Sequence, residues 1–176
     1  NILYQSNNLE FAIQEHKRAI KLDKKNFQSF YSLGVVYTHL KNYEKAIEHY
    51  QNALSLDGES SVAHNNLANI YNNVNPNLAE EHYLKVLELV SNDAMPYINI
   101  SNYYLKNTKY KKCVQILEEA LDKDIKVKEL YNNLGIAYYA TKDNIKAKTM
   151  FKHAIKLDSN YTHALDNLKN INNIEK

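Results

Sequence analysis

The sequence is poor in the residues from which most catalytic and anion-binding devices are made. With three glycines in 176 residues, a glycine-rich loop that cradles phosphate is excluded. Cys113 is the only cysteine, so no intrachain disulfide forms and nothing demands an oxidising compartment. Arg18 is the only arginine and the formal charge is +2, a balance that gives no case for nucleic acid or an anionic membrane as partner. No apolar run approaches the roughly 18–20 residues of a membrane span. HExxH and GxSxG patterns are absent, and no carboxylate pair has an acid–base context. These absences argue against an enzyme, a cofactor or a metal site, and they fit an intracellular, cytoplasmic chain.

What the sequence does have is a repeat. Tyr37, Tyr71, Tyr104 and Tyr138 recur at intervals of 34, 33 and 34 residues, and Ala46, Ala79, Cys113 and Ala147 at 33, 34 and 34. Such a period is the mark of a repeat array. Within one unit, Phe30, Leu33, Gly34 and Tyr37 fall on one face of a helix. After a short polar turn, His39 to Asn42, a second apolar face follows through Ala46, Ile47, Tyr50, Ala53 and Leu54. So short a turn predicts a helical hairpin. Small residues recur where the two backbones must approach: Gly34, Ala68, Ser101 and Gly135 in the first helices, with the Ala/Cys series in the second. A glycine inside a helix costs about 1 kcal/mol against alanine, which points to a contact with no room for a side chain.

The order aromatic, Leu-Gly, Tyr, Ala, Tyr, Ala, carried by Phe30, Leu33-Gly34, Tyr37, Ala46, Tyr50 and Ala53, resembles the tetratricopeptide repeat. The resemblance implies an all-α, right-handed superhelical solenoid of antiparallel helix pairs. On this reading residues 1–176 form a single domain. Residues 1–26 are a truncated repeat that starts inside a first helix, with Leu3 at the tyrosine position. Full repeats follow at 27–60, 61–93, 94–127 and 128–161, and a capping helix at 162–176 presents Leu165, Leu168, Ile171 and Ile174. The chain is expected to be a fragment of a longer protein. One departure runs through every copy: the proline usual near the end of the second helix is replaced by Lys24, Gly58, Ser91, Ile125 and Ser159. Pro76 falls instead at the start of a second helix and Pro96 in the first turn of a first helix, where their missing N–H is tolerated.

Seven histidines invite a search for ligands or catalysts. His49 and His82 share one repeat position and are expected to be exposed polar residues on the outward side of successive second helices. His16 stands where other copies carry Tyr50, Tyr83, Leu117 and Phe151, so it reads as a packed residue. Cys113 replaces alanine and reads as a buried, inert thiol. The 15 tyrosines mostly occupy periodic core positions, which argues against base stacking.

The functional signal is a ladder of asparagines. Asn66, Asn99, Asn133 and Asn167 share one position in successive first helices, with Ser32 in the first full copy. In the family resembled here the first helices line a concave groove, which implies a site made of these four with Asn65, Asn69, Asn102, Asn132, Asn170 and Tyr31. Val35, Ile98, Leu105, Ile136 and Tyr139 would add apolar patches. An amide offers a donor and an acceptor together, so it matches the backbone of an extended peptide. The composition supplies a competing explanation, since the chain holds 25 asparagines. Family members that hold a terminal carboxylate of chaperones use a lysine, asparagine and arginine clamp. The lysine positions here are Tyr31 and Met95 and the arginine position is Asn99, so that mode is not expected. The resemblance thus implies a non-catalytic interaction module or scaffold for a protein or peptide partner. The alternatives are the substrate-docking arm of a larger enzyme, such as an O-linked N-acetylglucosamine transferase, and a self-associating subunit.

Overall fold

Six of the helix starts have a local cause. The side chains of Asn26, Asn42, Ser60, Asp93 and Asp143 accept a hydrogen bond from a backbone N–H in the first turn that follows, satisfying a donor that has no partner inside the helix. Pro76 opens its own helix. The computed structural model describes residues 2–174, with side chains over 8–173. Among them lie ten helices and no strand: α1 (Ile2–Leu22), α2 (Phe27–His39), α3 (Tyr43–Leu56), α4 (Ser61–Val74), α5 (Pro76–Leu89), α6 (Ala94–Lys106), α7 (Tyr110–Asp122), α8 (Lys128–Ala140), α9 (Asn144–Leu157) and α10 (Thr162–Ile174). The chain is an all-α solenoid built from helical hairpins.

Its packing divides into two units, Asn1–Leu89 and Val90–Lys176. In the first, α2 pairs with α3 and α4 with α5, while α1 packs on α2. In the second, α6 pairs with α7 and α8 with α9, while α10 packs on α9 and α8.

The turns inside the hairpins use a left-handed residue that is not glycine. Lys41, Thr108 and Lys142 have φ of 57°, 56° and 66° at equivalent places between α2 and α3, α6 and α7, and α8 and α9. The turn between α4 and α5 consists of Asn75 alone, two residues fewer than the three-residue turns of the other hairpins. At the ends of α1, α3 and α9, three of the five that lack the proline, an aspartate takes over. Asp23, Asp57 and Asp158 each accept from the N–H two residues on, at 2.9, 3.1 and 3.0 Å. This side-chain turn stops the helix without proline.

The periodic residues form the cores. Tyr37, Tyr71, Tyr104 and Tyr138 are buried, and so are Ala46, Ala79, Cys113 and Ala147. A Cβ placed on Gly34 would lie 2.6 Å from the Tyr50 ring, and one on Gly135 would lie 2.5 Å from Phe151. The glycines are therefore the seats of those rings. A lysine just before the small residue of α3, α7 and α9 lies over the hairpin tyrosine: Lys45 over Tyr37 at 5.3 Å, Lys112 over Tyr104 at 6.0 Å and Lys146 over Tyr138 at 5.0 Å. Burial pushes the Cys113 thiol up to about 12, so it stays protonated and inert.

Two expectations need correction. Residues 1–26 were read as the end of a first helix, a turn and a second helix, but α1 runs unbroken from Ile2 to Leu22. The stretch carries no proline to interrupt the ladder, and Asn8, at the repeat position of the cap Asn42, lies inside the helix. The tail was read as a stripe of Leu165, Leu168, Ile171 and Ile174. Instead Ala164 and Ile171 are buried while Leu165 is 40% exposed. Steps of three fall short of a helical turn, so such a stripe drifts off the packed face. The side chains of Leu3 and Ile174, and all of Asn1, Glu175 and Lys176, lie outside the described residues.

Candidate functional site

The first helices carry the asparagine ladder, and in each unit the amides are engaged with their neighbours. In the first unit, Asn66 Nδ2 donates to Tyr31 Oη at 3.2 Å, joining α4 to α2. Tyr31 is half-buried, with its ring 6.1 Å from Phe27 and 5.8 Å from Tyr50. Asn69 is exposed, and its Oδ1 accepts from Tyr83 Oη at 2.6 Å. Half-buried Asn65, on the same helix, is also engaged.

The second unit has a continuous chain of amides. Asn167 Nδ2 donates to Asn132 Oδ1 at 3.0 Å, and Asn132 Nδ2 reaches Asn133 Oδ1 at 3.5 Å. Asn133 Nδ2 in turn donates to Ser101 Oγ at 2.9 Å and to Asn102 Oδ1 at 2.8 Å. The relay ties α10 to α8 and α8 to α6. Asn132 and Asn133 are 4% and 7% exposed, whereas Asn102 and Asn170 face solvent. Half-buried Asn99 on α6 is engaged as well. The structure therefore separates asparagines that hold the stack, chiefly Asn132 and Asn133, from those presented outward, Asn69, Asn102 and Asn170. Position in the repeat separates the outward set: Asn69, Asn102 and Asn170 share one position, filled by Ile136 in the intervening copy, three residues beyond that of Asn66, Asn99, Asn133 and Asn167, whose amides are all engaged.

One cleft occurs in both units. In the first, Val35, Thr38, Tyr50 and Asn66, with His39, Lys41 and Tyr43, line a cleft of about 500 Å³. In the second, the residues three repeats later, Ile136, Tyr139, Phe151 and Asn167, line one of about 110 Å³ with Asn170 and Ile171. The floor is the buried ring that sits on the glycine, Tyr50 or Phe151. One wall is aliphatic, and an amide from the next first helix closes the end. The sequence located the wall residues and the amides; it missed the ring as floor, because a periodic aromatic residue reads as core.

The histidines differ from expectation. His49 and His82 are half-buried instead of exposed. His49 stacks on Tyr37 at 5.3 Å with an interplanar angle of 7°, and His82 on Tyr71 at 5.5 Å and 13°. A large ring on the facing first helix covers each imidazole. Burial is the main cause that lowers both from their ordinary value of 6.5, opposed at His49 by Glu48 and reinforced at His82 by His64. The unfolded chain then takes up these protons more readily than the folded one, so stability is full above about 6.5 and is lost as pH falls through and below that value. Melting temperatures at neutral and mildly acid pH are expected to show this loss, and His49→Gln/His82→Gln is expected to reduce the difference. His16, read as packed, is half-buried with Nδ1 3.4 Å from Ser29 Oγ.

Among the described residues no helix is long and apolar enough to cross a membrane, and no group of three or more His, Cys, Asp or Glu is placed to hold a metal ion. Tetratricopeptide repeat patterns match residues 27–60 and 128–161, and a TPR repeat pattern matches residues 1–40, which together exceed half of the chain. The chain is 28% identical over 135 residues to the type IV pilus assembly protein PilF of Pseudomonas aeruginosa, covering 75% of this chain and 54% of PilF. It is 25% identical over 158 residues to the human protein O-mannosyl-transferase TMTC3, covering 81% of this chain and 17% of that protein. The chain thus spans about half of the one relative and a small part of the other. Its fold is that of the crystal structure of YrrB, a TPR protein with an unusual peptide-binding site, at a TM-score of 0.77 and 22% identity over 96% of this chain and 88% of YrrB. By its repeat pattern, its hairpins and these likenesses, the chain belongs to the tetratricopeptide repeat family, whose folds serve protein–protein interaction.

Proposed function

We propose that the chain is a non-catalytic scaffold module that binds an extended peptide segment along its first helices. The observation that carries this reading is the recurring cleft. An aliphatic wall, an aromatic floor and an amide suit an apolar side chain of the guest, while an exposed amide beside the cleft suits the guest's backbone. The internal bonds refine which amides take part. Asn69 and Asn102 have their oxygens engaged by Tyr83 and Asn133, so their exposed Nδ2 groups are left to donate to carbonyl oxygens of the guest. Each such bond contributes about 0.5–1.5 kcal/mol. Three of them, at Asn69, Asn102 and Asn170, reach the millimolar range at best, so the clefts must supply the rest of the affinity. Support also comes from the peptide-binding site named for YrrB and the assembly role named for PilF.

The test is a peptide selected on the native chain from a random library. Tyr139→Ser and Asn170→Ala, both at the second cleft, are expected to weaken its binding by about tenfold, with little change in melting temperature. Affinity should be nearly the same at low and physiological salt, since neutral groups make the contacts. Unchanged binding in both variants would reject the groove. A second reading is favoured by the match to a stretch of TMTC3: the chain is a substrate-docking arm of a larger enzyme. A glycosyltransferase domain encoded in the same gene would favour the arm.

A further inference from the structure

One pair of side chains has no part in the groove. His64 of α4 and His82 of α5 meet with their Nδ1 atoms 2.7 Å apart and their ring centres 5.0 Å apart. No periodicity pairs them, since they stand on different helices at different repeat positions. Each ring is held by a separate contact. His64 Nε2 lies 3.1 Å from the carbonyl oxygen of Gly58. A carbonyl only accepts, so in the neutral ring the proton sits on Nε2 and Nδ1 keeps its lone pair. His82 is fixed by its stack on Tyr71. The pair borders a cleft of about 450 Å³ that is also lined by Glu81, Leu84, Lys85 and Glu88. Lys85 is ion-paired with Glu88 at 2.9 Å, which reduces the positive charge facing the cleft.

We propose that His64 and His82 form a two-histidine site for a divalent transition-metal cation of the Zn²⁺ class, held by both Nδ1 atoms with water completing its shell. The arrangement behind His64 is the one metal-bound histidines ordinarily have, with the far ring nitrogen donating to a backbone carbonyl that fixes tautomer and orientation. His82 must carry its proton on Nε2 when bound, and a neutral ring does this by changing tautomer, with no net proton lost. Burial favours its neutral form, the form that binds. With metal–nitrogen bonds of about 2.0–2.1 Å, the two nitrogens of a tetrahedral site stand about 3.3 Å apart. The rings therefore part by about 0.6 Å from their present 2.7 Å contact, toward the open cleft. Two imidazoles select Zn²⁺, Ni²⁺ or Cu²⁺ over Mg²⁺ and Ca²⁺, which require oxygen ligands. With two protein ligands the cation is exchangeable and retains open positions, unlike a closed structural zinc site.

Calorimetric titration of the chain with Zn²⁺ and, in parallel, Mg²⁺ in a non-chelating buffer at neutral pH tests this. Loss of a group that merely supports a ligand costs about 10–100-fold, and loss of the ligand itself costs no less. One equivalent of Zn²⁺ is expected to bind, with affinity reduced by about tenfold or more in His64→Gln and in His82→Gln. His153→Gln should match the parent, and Mg²⁺ should give no binding. Nitrogen NMR of the unaltered chain gives a second readout that survives if His82→Gln fails to fold. Zn²⁺ should shift the Nδ1 resonances of His64 and His82 ahead of all other imidazoles. Absence of Zn²⁺ binding, or binding that leaves both Nδ1 resonances in place, would overturn the proposal.

Discussion

Replacing Gly135 by leucine is expected to lower the free energy of unfolding by about 3 kcal/mol or more. Overpacking a filled core typically costs about 1–3 kcal/mol and occasionally more. Here the conflict begins at the first carbon, because a Cβ on Gly135 would stand 2.5, 2.7 and 3.0 Å from three ring carbons of Phe151. The ring has little freedom to retreat, being 1% exposed. Alanine for glycine in a helix would otherwise gain about 1 kcal/mol, so a loss from Gly135→Ala would itself show that contact outweighs propensity. Phe151→Ala alone should cost about 3–5 kcal/mol. Combined with Gly135→Leu it should cost much less than the two together, because the added side chain fills the space left by the ring. Additivity in that cycle, measured by urea unfolding, would refute the seat that Gly135 provides.

Asn133→Ala is expected to cost about 1–3 kcal/mol, since it removes two donor bonds from a buried amide and leaves Ser101 Oγ and Asn132 with fewer partners. Asn133→Asp should cost more at neutral pH. It sets a carboxylate oxygen where Nδ2 stood, against Asn102 Oδ1 and Ser101 Oγ, in a place from which water is largely excluded. Burial and the facing oxygen raise that carboxyl's pKa, so the folded state binds its proton more readily than the unfolded one. Stability of this variant should therefore recover as pH falls into the acid range, in contrast to the parent chain. Equal stability of all three proteins would mean that the relay from α10 to α6 carries no weight.

The hairpin fold was legible because its causes are local and periodic. Tyr37 and its counterparts, the Ala46 series, and the small residues at Gly34 and Gly135 each state their role through spacing alone. The continuous α1 was not legible, since Ser6-Asn7-Asn8 fall where the next copy places its turn and the cap Asn42, yet the helix runs through them. The ladder was half legible. Spacing placed Asn66, Asn99, Asn133 and Asn167 at one position, yet the partner of Asn133 is Asn102, which lies on another helix 31 residues away. Spacing also sets the exposed Asn69, Asn102 and Asn170 at a second position of their own, but which partner each inward amide finds depends on how the helices pack. The same holds for His82, whose stack on Tyr71 and contact with His64 arise from the pairing of α4 with α5.

The central claim is a division of labour among asparagines: buried amides hold the repeats together while exposed ones meet a guest. Comparing Asn133→Ala with Asn170→Ala, for unfolding free energy and for affinity toward one selected peptide, tests it most directly, because Asn170 is exposed beside the second cleft while Asn102 accepts from Asn133. The account predicts that the Asn133 variant loses stability while the Asn170 variant loses affinity with its stability nearly intact. Full affinity in the Asn170 variant, or undiminished stability in the Asn133 variant, would contradict it.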